Sequence, residues 1–166
     1  MSTWRKSILG HSLRLNSTDG NFIEGSDVKD VNDVFKNSVI VLNDTGTKIG
    51  FYGSFDVPGD YVGGAKFIIK YKTTATSGDF ENDIDYSSIA TGESGDPAAA
   101  QESLNQNDTV PGTARIIAEN ELTATAGNFA ANDICKYAVW RDNTDGGDTV
   151  SAAQIIEDVL FEYTDA

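Results

Sequence analysis

The residues best placed to do chemistry stand in "RDNTDGGDTV", Arg141–Val150, where three aspartates, an asparagine and two glycines lie together. Asp142, Asn143, Asp145 and Asp148 offer hard oxygen donors, and calcium takes about six to eight of these. Asp142, Asp145 and Asp148 are therefore calcium candidates, but their spacing misses the helix–loop–helix pattern. Asp142 and Asp145 are three apart, and Ala153 stands where a bidentate Glu would close the loop. The competing reading is a turn between two strands, because Asp, Asn and Gly are also what a β-turn demands. In that turn Arg141 and Asp142 would pair locally, and Gly146 and Gly147 would supply conformations closed to other residues. No metal or cofactor is assigned.

A second acidic run, "DFENDID", sets Asp79, Glu81, Asp83 and Asp85 at alternate positions. A glycosidase needs two carboxylates facing one pocket. Loop or outward strand positions with solvated charge are the ordinary explanation for such a run. The one histidine, His11, lies near the N-terminus, outside the strand-rich region, so a Ser-His-Asp or Cys-His arrangement would require that segment to fold over the body. The paired glycines of "VGGAK" and "DGGDT" fit no phosphate loop, because neither leads into a helix. Cys135 is the only cysteine, which excludes an intrachain disulfide and a cysteine-based zinc site; inside "DICKYAVW" it reads as a small buried apolar residue. No catalytic residue is assigned, and the chain reads as non-enzymatic.

These groups must be positioned by one domain, which is what 166 residues suggest. The net charge of −14, from 26 acidic and 12 basic residues, opposes binding to nucleic acid, whose phosphates need a cationic surface. No apolar run approaches the roughly 20 residues of a membrane helix, and none at the start suits a signal peptide. Synthesis in the cytoplasm without membrane contact is expected. Charge is unevenly distributed: residues 1–15 hold Arg5, Lys6, Arg14 and His11 with no acid, while the rest carries all 26 acids and nine Lys or Arg. A basic arm thus leads an acidic body. Residues 16–37 are polar with Val28, Val31, Val34 and Phe35 at helical spacing, and read as loop with a short strand or turn of helix. The domain division is 1–37, arm and connector, and 38–166, folded body.

From residue 38 the hydrophobic period is two. "SVIVL" is a short apolar run. "KIGFYGSFDV" sets Ile49, Phe51, Phe55 and Val57 against Tyr52, Ser54 and Asp56, and "AKFIIKYK" sets Ala65, Phe67, Ile69 and Tyr71 against Lys66, Lys70 and Lys72. "PGDYVGGA" between them is turn chemistry. "DIDYSSIA" reads as a strand, and "PAAAQESL" as one helical turn or two, since Pro starts helices and Ala propagates them. "TARIIAENELTATA" reads as one strand or two, broken near Glu119–Glu121. "DICKYAVWR" alternates Cys135, Tyr137, Val139 and Arg141 with Ile134, Lys136, Ala138 and Trp140. "AAQIIEDVLFEY" puts Ile155, Val159, Phe161 and Tyr163 on one side. The in-phase aromatics are expected in the core; Trp4, in the basic arm, is the one that strand phase does not explain. Roughly seven or eight strands with regular turns, and no βαβ alternation, give an all-β chain: a jelly-roll-like antiparallel β-sandwich with an extended N-terminal arm.

The segments "GFYGSFDVPGDYVGGAKFIIKYKT" and "VPGTARIIAENELTATAGNFAANDICKYAVWRDNTDGGDTVSAAQIIEDVLFEY" carry a set of turn and strand motifs. These are Pro58, Asp60 and Tyr61 with Gly63 and Gly64, then Asn132 and Asp133, Arg141 and Asp142, Asp148 and Thr149, and Glu162 and Tyr163. Over residues 38–163 this pattern resembles a jelly-roll domain found in virion proteins of tailed bacteriophages. The middle segment, Thr73 to Asn107, departs from it. The resemblance implies a capsid decoration protein, a head fibre or a tail-associated protein, without choosing among them.

The leading expectation is a capsid decoration protein on the outer surface of a virion, made in the host cytoplasm. It would dock on the major capsid protein through Trp4, Arg5, Lys6, Ile8, Leu9, Leu13 and Arg14, with Leu15 as a further apolar anchor, and oligomerise, with a trimer as the guess. For this arm the plain alternative is a disordered N-terminus. The second expectation, from a different class, is a glycan-binding module of a head fibre or receptor-binding tip. There an exposed aromatic pair beside an acidic loop would be the signature.

Overall fold

The computed structural model describes residues 1–9 and 40–166, and of residues 14–15 the backbone. The turn of helix or short strand expected within 16–37 lies outside the described residues, as do His11 and Leu13. Among the described residues there are ten strands: β1 (Thr3–Ser7), β2 (Arg14–Leu15), β3 (Ile40–Leu42), β4 (Lys48–Asp56), β5 (Tyr61–Lys72), β6 (Asp79–Ile89), β7 (Glu102–Thr109), β8 (Ala118–Thr123), β9 (Ile134–Asp142) and β10 (Gln154–Asp165). They form two five-stranded antiparallel sheets. One runs β1-β10-β5-β8, with β3 also on β10, and the other runs β2-β4-β9-β6-β7. The architecture is a jelly-roll-like β-sandwich.

Alternation decides which side chains meet between the sheets. Ile49, Phe51 and Phe55 on β4 with Val57 just beyond it, Ala65, Phe67, Ile69 and Tyr71 on β5, and Cys135, Tyr137 and Val139 on β9 are all buried in one core. Its centre is aromatic: Phe55, Phe67, Phe129 and Phe161 pack with ring centroids 4.8–6.4 Å apart, the range in which tilted and edge-on ring pairs attract. On β10 the expected phase fails for one residue. A β-bulge between Ile156 and Asp158 shifts the register against β5. Ile156 therefore joins the core with Val159, Phe161 and Tyr163, while Ile155 packs on Val41 in a separate small cluster. An extra residue in one strand reverses the phase of all that precede it.

Two further expectations are corrected by strand pairing. "PAAAQESL" is not helical: Ala98–Ala100 form an irregular loop, and Glu102 begins β7, which pairs with β6 from Tyr86↔Glu102 to Asp79↔Thr109. The edge of β6 supplies a hydrogen-bonding partner that outweighs the weak helical preference of three alanines. Glu119–Glu121 do not break β8. They pair with Lys70–Ile68 of β5, and turn geometry occupies residues 112–115 instead, with Arg115 at φ 66°.

Strand β1 belongs to the sandwich. It pairs with β10 from Thr3↔Thr164 to Ser7↔Leu160, along the edge whose other end takes β3. A division at residue 37 therefore does not separate Thr3–Ser7 from the body. Between the sheets lies a buried amide group: Asn82 on β6 and Gln154 on β10 exchange hydrogen bonds of 3.0 and 2.9 Å, and Asn120 on β8 donates to Asn82 Oδ1 at 3.2 Å.

Candidate functional site

The outward face of the second sheet carries the candidate site. On β4 the outward residues include Gly50, Tyr52 and Ser54; on β9, Lys136, Ala138 and Trp140; on β6, Asp83, Asp85 and Ser87. With the loop from Thr91 to Gln101 as a wall, this face forms an open groove of about 610 Å3, lined by Tyr52, Ser54, Asp85, Ser87, Lys136 and Ala138, with Pro97, Ala99 and Ala100 on the loop side.

Each element of the groove is held in place. Gly50 seats Trp140: a β-carbon there would stand 2.6 Å from the indole Cε3 and closer still to the Val139 carbonyl. Trp140 is consequently buried and donates from Nε1 to Asp85 Oδ2 at 2.9 Å. Lys48 Nζ lies 5.8 Å from the centroid of Trp140, within cation–π range. The Tyr52 ring stands edge-on to Trp140, centroids 5.4 Å apart and planes at 86°, and is 36% exposed. Tyr52 is thus a fixed aromatic surface presented to solvent. Asp85 also accepts from Ser103 Oγ at 2.5 Å. The loop wall is tied down where Gln101 donates from its backbone to Tyr86 O at 2.8 Å and to Ser87 Oγ at 3.1 Å, and where Lys136 Nζ reaches Gly95 O.

The groove can bind more readily than it can react. It presents an aromatic ring, hydroxyls, one ammonium and one carboxylate, Asp85, which Trp140 and Ser103 both hold. A pair of facing carboxylates, which glycoside hydrolysis requires, is not part of its lining. Cys135 is fully buried, and burial pushes its thiol far up, reinforced by Asp133, so it carries no thiolate.

The expected docking residues are placed differently from an open arm. Ile8 is fully buried in the core and Leu9 packs against it. Arg5 is ion-paired to Glu162 (2.8 Å), Glu119 (3.0 Å) and Glu121 (3.7 Å). Lys6 donates to the Asp56 carbonyl at 3.0 Å. Trp4, 54% exposed, donates from Nε1 to Asp165 Oδ2 at 2.9 Å. Arg14 lies in β2, its backbone paired opposite Tyr52. Thr3–Ser7 are drawn into the sandwich because this edge strand satisfies its backbone on β10, Arg5 on Glu162, Glu119 and Glu121, and Lys6 on a backbone carbonyl.

The calcium candidates are likewise redistributed. Arg141, fully buried, takes Asp148 in a two-pronged pair at 2.7 and 2.9 Å, so the pairing with Asp142 is not formed. Asp142 instead accepts from Thr144 N–H and hydroxyl at 3.0 and 2.6 Å; burial pushes its carboxyl up, but these bonds and Lys48 outweigh it and hold it below the usual range. Asp145 Oδ1 accepts from Gly147 N–H at 2.7 Å. Neither Gly146 nor Gly147 has positive φ. In "DFENDID", Glu81 and Asp83 are buried, at 1% and 8% exposure, against the expectation of solvated charge. The groove itself went unread because it joins residues from β4, β6 and β9, and only Tyr52 against Trp140 on alternating strands hinted at it.

No family model matches the sequence, and neither does any curated protein. Among solved structures the chain is similar to the K1 cleaved adhesin domain of Lys-gingipain from Porphyromonas gingivalis W83, with TM-score 0.50, 14% identity and 99% of each chain covered. At that identity the similarity shows the fold alone. Looser similarity reaches the CBM36-1 domain of a multidomain xylanase from the hindgut metagenome of Trinervitermes trinervoides, with TM-score 0.47, 10% identity and 99% of each chain. It also reaches an exo-β-1,3-galactanase from Phanerochaete chrysosporium, with TM-score 0.44 and 9% identity, of which the chain spans 29% while 97% of the chain is covered.

Proposed function

We propose that the protein is a non-catalytic glycan-binding module that takes a sugar on the open face of the β4-β9-β6 sheet. The observation that supports this is the fixed Tyr52 ring, set on Trp140, beside Ser54, Ser87, Asp85 and Lys136 in one groove. A sugar ring offers an apolar C–H face to an aromatic side chain and hydroxyls to polar groups around it, and a rigid site loses little entropy on binding. An open groove also suits a chain of sugars better than a closed pocket would. The argument rests on the groove, since the neighbouring structures share 9–14% identity with this chain and speak to fold.

The test is a glycan array followed by calorimetry on the best ligand. Tyr52→Ala is expected to weaken binding by at least tenfold, about 1.4 kcal/mol, while the protein stays folded, because the ring packs on Trp140 at the surface and not in the core. Binding to no glycan on the array, or equal binding by Tyr52→Ala, would sink the proposal.

A further inference from the structure

A buried acid beneath the Asp-rich loop has no place in the groove. Glu81 lies on β6, about 13 Å along the strand from Asp85, taking ~3.3 Å per residue. It is 1% exposed, and neither carboxylate oxygen has a well-formed hydrogen bond, the nearby Asn105 amide donating to Asp83 Oδ1 at 2.7 Å instead. The Asn143 Oδ1 atom, in the loop that follows β9, is also buried without a donor. The side-chain amide of Asn143 is held by the carbonyls of Asn43 and Thr47, at 3.2 and 2.8 Å, which fixes which atom is left over. A further buried oxygen of this kind, Glu157 Oε1, lies 2.5 Å from Lys72 Nζ. Three unmatched oxygens therefore remain among the described residues, all in or under one loop. What they lack is positive charge.

The loop is packed onto Glu81. A β-carbon at Gly147 would stand 2.7 Å from Glu81 Oε2 and closer still to the Asn107 amide, so glycine is required here for close approach. Asn107 is the cross-strand neighbour of Glu81 on β7. The shape of its amide is unchanged by a half-turn that would present Oδ1 to the same point. The surroundings are acidic: burial and then Asp145, Asp83 and Asp142 hold the Glu81 carboxyl above its ordinary range, with the Asn105 amide opposing. Lys48 answers Asp83 and, at 3.7 Å, Asp142, but among the described residues no cation is paired with Glu81.

We propose that Glu81 anchors a site for a hard divalent cation, calcium by its oxygen chemistry, beneath the 142–149 loop. Glu81 supplies the charged ligand, and the Asn107 amide, Asp145, loop carbonyls and water supply the remaining oxygens. Among the described residues no three Asp, Glu, His or Cys side chains form a ready cage, so the site is one of low charge. Such sites fall in the weaker, roughly 10⁻⁴–10⁻³ M, part of the calcium range. Asp148 takes no part, because Arg141 holds both its oxygens.

The experiment uses the full chain, stripped with chelator and dialysed, titrated with calcium chloride in a calorimeter and melted with and without calcium. One-site binding is expected, with a rise in melting temperature of roughly 5–10 °C at a hundredfold excess over Kd. Glu81→Gln keeps the shape and removes the buried charge. It is expected to fold, to melt in chelator at or above the wild-type temperature, and to lose the calcium response. A wild-type melting temperature and heat unmoved by calcium would overturn the proposal, as would a Glu81→Gln variant that responds like wild type. Either failure leaves the glycan test on Tyr52 unaffected.

Discussion

Arg141→Met is expected to be among the most damaging single substitutions in the protein. The guanidinium is fully buried and makes five hydrogen bonds. Two go to Asp148 at 2.7 and 2.9 Å, two from Nη1 to the carbonyls of Leu42 and Ala152 at 3.1 and 2.9 Å, and one from Nη2 to Val150 O. It also lies 4.6 Å from the centroid of Phe80. Methionine fills much of the volume but leaves the Asp148 carboxylate, its side chain 3% exposed, without a counter-charge. It also strips three carbonyls of their donor. Breaking a buried pair by removing one partner costs about 3–5 kcal/mol, out of a total stability of about 5–15 kcal/mol. In a chain of this length each kcal/mol moves the melting temperature by about 2–4 °C, so a fall of roughly 6–20 °C is expected. Urea unfolding followed by tryptophan fluorescence measures the free-energy cost, with Trp140 adjacent as reporter, and a thermal melt measures the fall in melting temperature. Asp148→Leu alone should cost a comparable amount. The double variant Arg141→Met/Asp148→Leu should cost less than the two single costs together, by about 1–3 kcal/mol. Strict additivity, or an Arg141→Met cost below about 1 kcal/mol, would refute the reasoning that this pair holds the β9–β10 loop to the sandwich.

Acid stability should depend on Glu102. Burial pushes its carboxyl up, but the Tyr86 hydroxyl, Thr125 N–H and hydroxyl, and Asn128 amide outweigh that and hold it below its ordinary value of 4.5. Its contribution is therefore present above that value and lost as pH falls through the lower folded-state value, and Glu102→Gln should flatten the acid limb of a stability–pH curve below about pH 4.5. Cys135 should resist a thiol reagent at neutral pH and react only on addition of denaturant; immediate reaction would contradict its burial. Gly50→Val should displace Trp140 and, through it, Tyr52, abolishing glycan binding along with about 2 kcal/mol or more of stability, from overpacking against a backbone carbonyl. Arg5→Ala should cost about 1 kcal/mol or less, because Arg5, Glu119 and Glu121 are substantially exposed and the buried Glu162 keeps Lys66 at 3.4 Å.

The core faces of β4, β5 and β9 were legible in the sequence because strict alternation of apolar and polar residues admits one burial pattern. Strand β10 was legible as an element but not in phase, since a bulge leaves no compositional mark and Ile155 and Ile156 are interchangeable to the eye. Strand β7 was hidden because "ESLNQNDT" has one apolar residue, Leu104, and owes its conformation to the edge of β6. The N-terminal strand was read as an arm because its basic character separates it in composition from the body, whereas in space that character is what binds it to Glu162 and Glu119. Glu81 was read as solvated because nothing local tells a buried acid from an exposed one; only the return of the loop through Gly147 covers it. The groove was least legible of all, being assembled from three strands about 30–50 residues apart in sequence.

The buried amides of Asn82, Gln154 and Asn120 restrict how this chain can change over time. Each is satisfied by the others, with Asn82 also donating to Trp140 O at 3.1 Å and Asn120 to Gln106 O at 3.1 Å. An apolar substitution at any one strands donors or acceptors on its neighbours, at about 1–3 kcal/mol for each orphaned group. Replacing all three by well-packed apolar residues leaves no orphan among them and removes a donor only from the Trp140 and Gln106 carbonyls, so it costs less than the single changes taken together. The three positions, one on β6, one on β8 and one on β10, therefore form a unit that drift crosses only in concert. Relatives of this chain should keep all three amides or none, and a relative that keeps Asn82 while losing Gln154 should carry a compensating polar residue facing the same point.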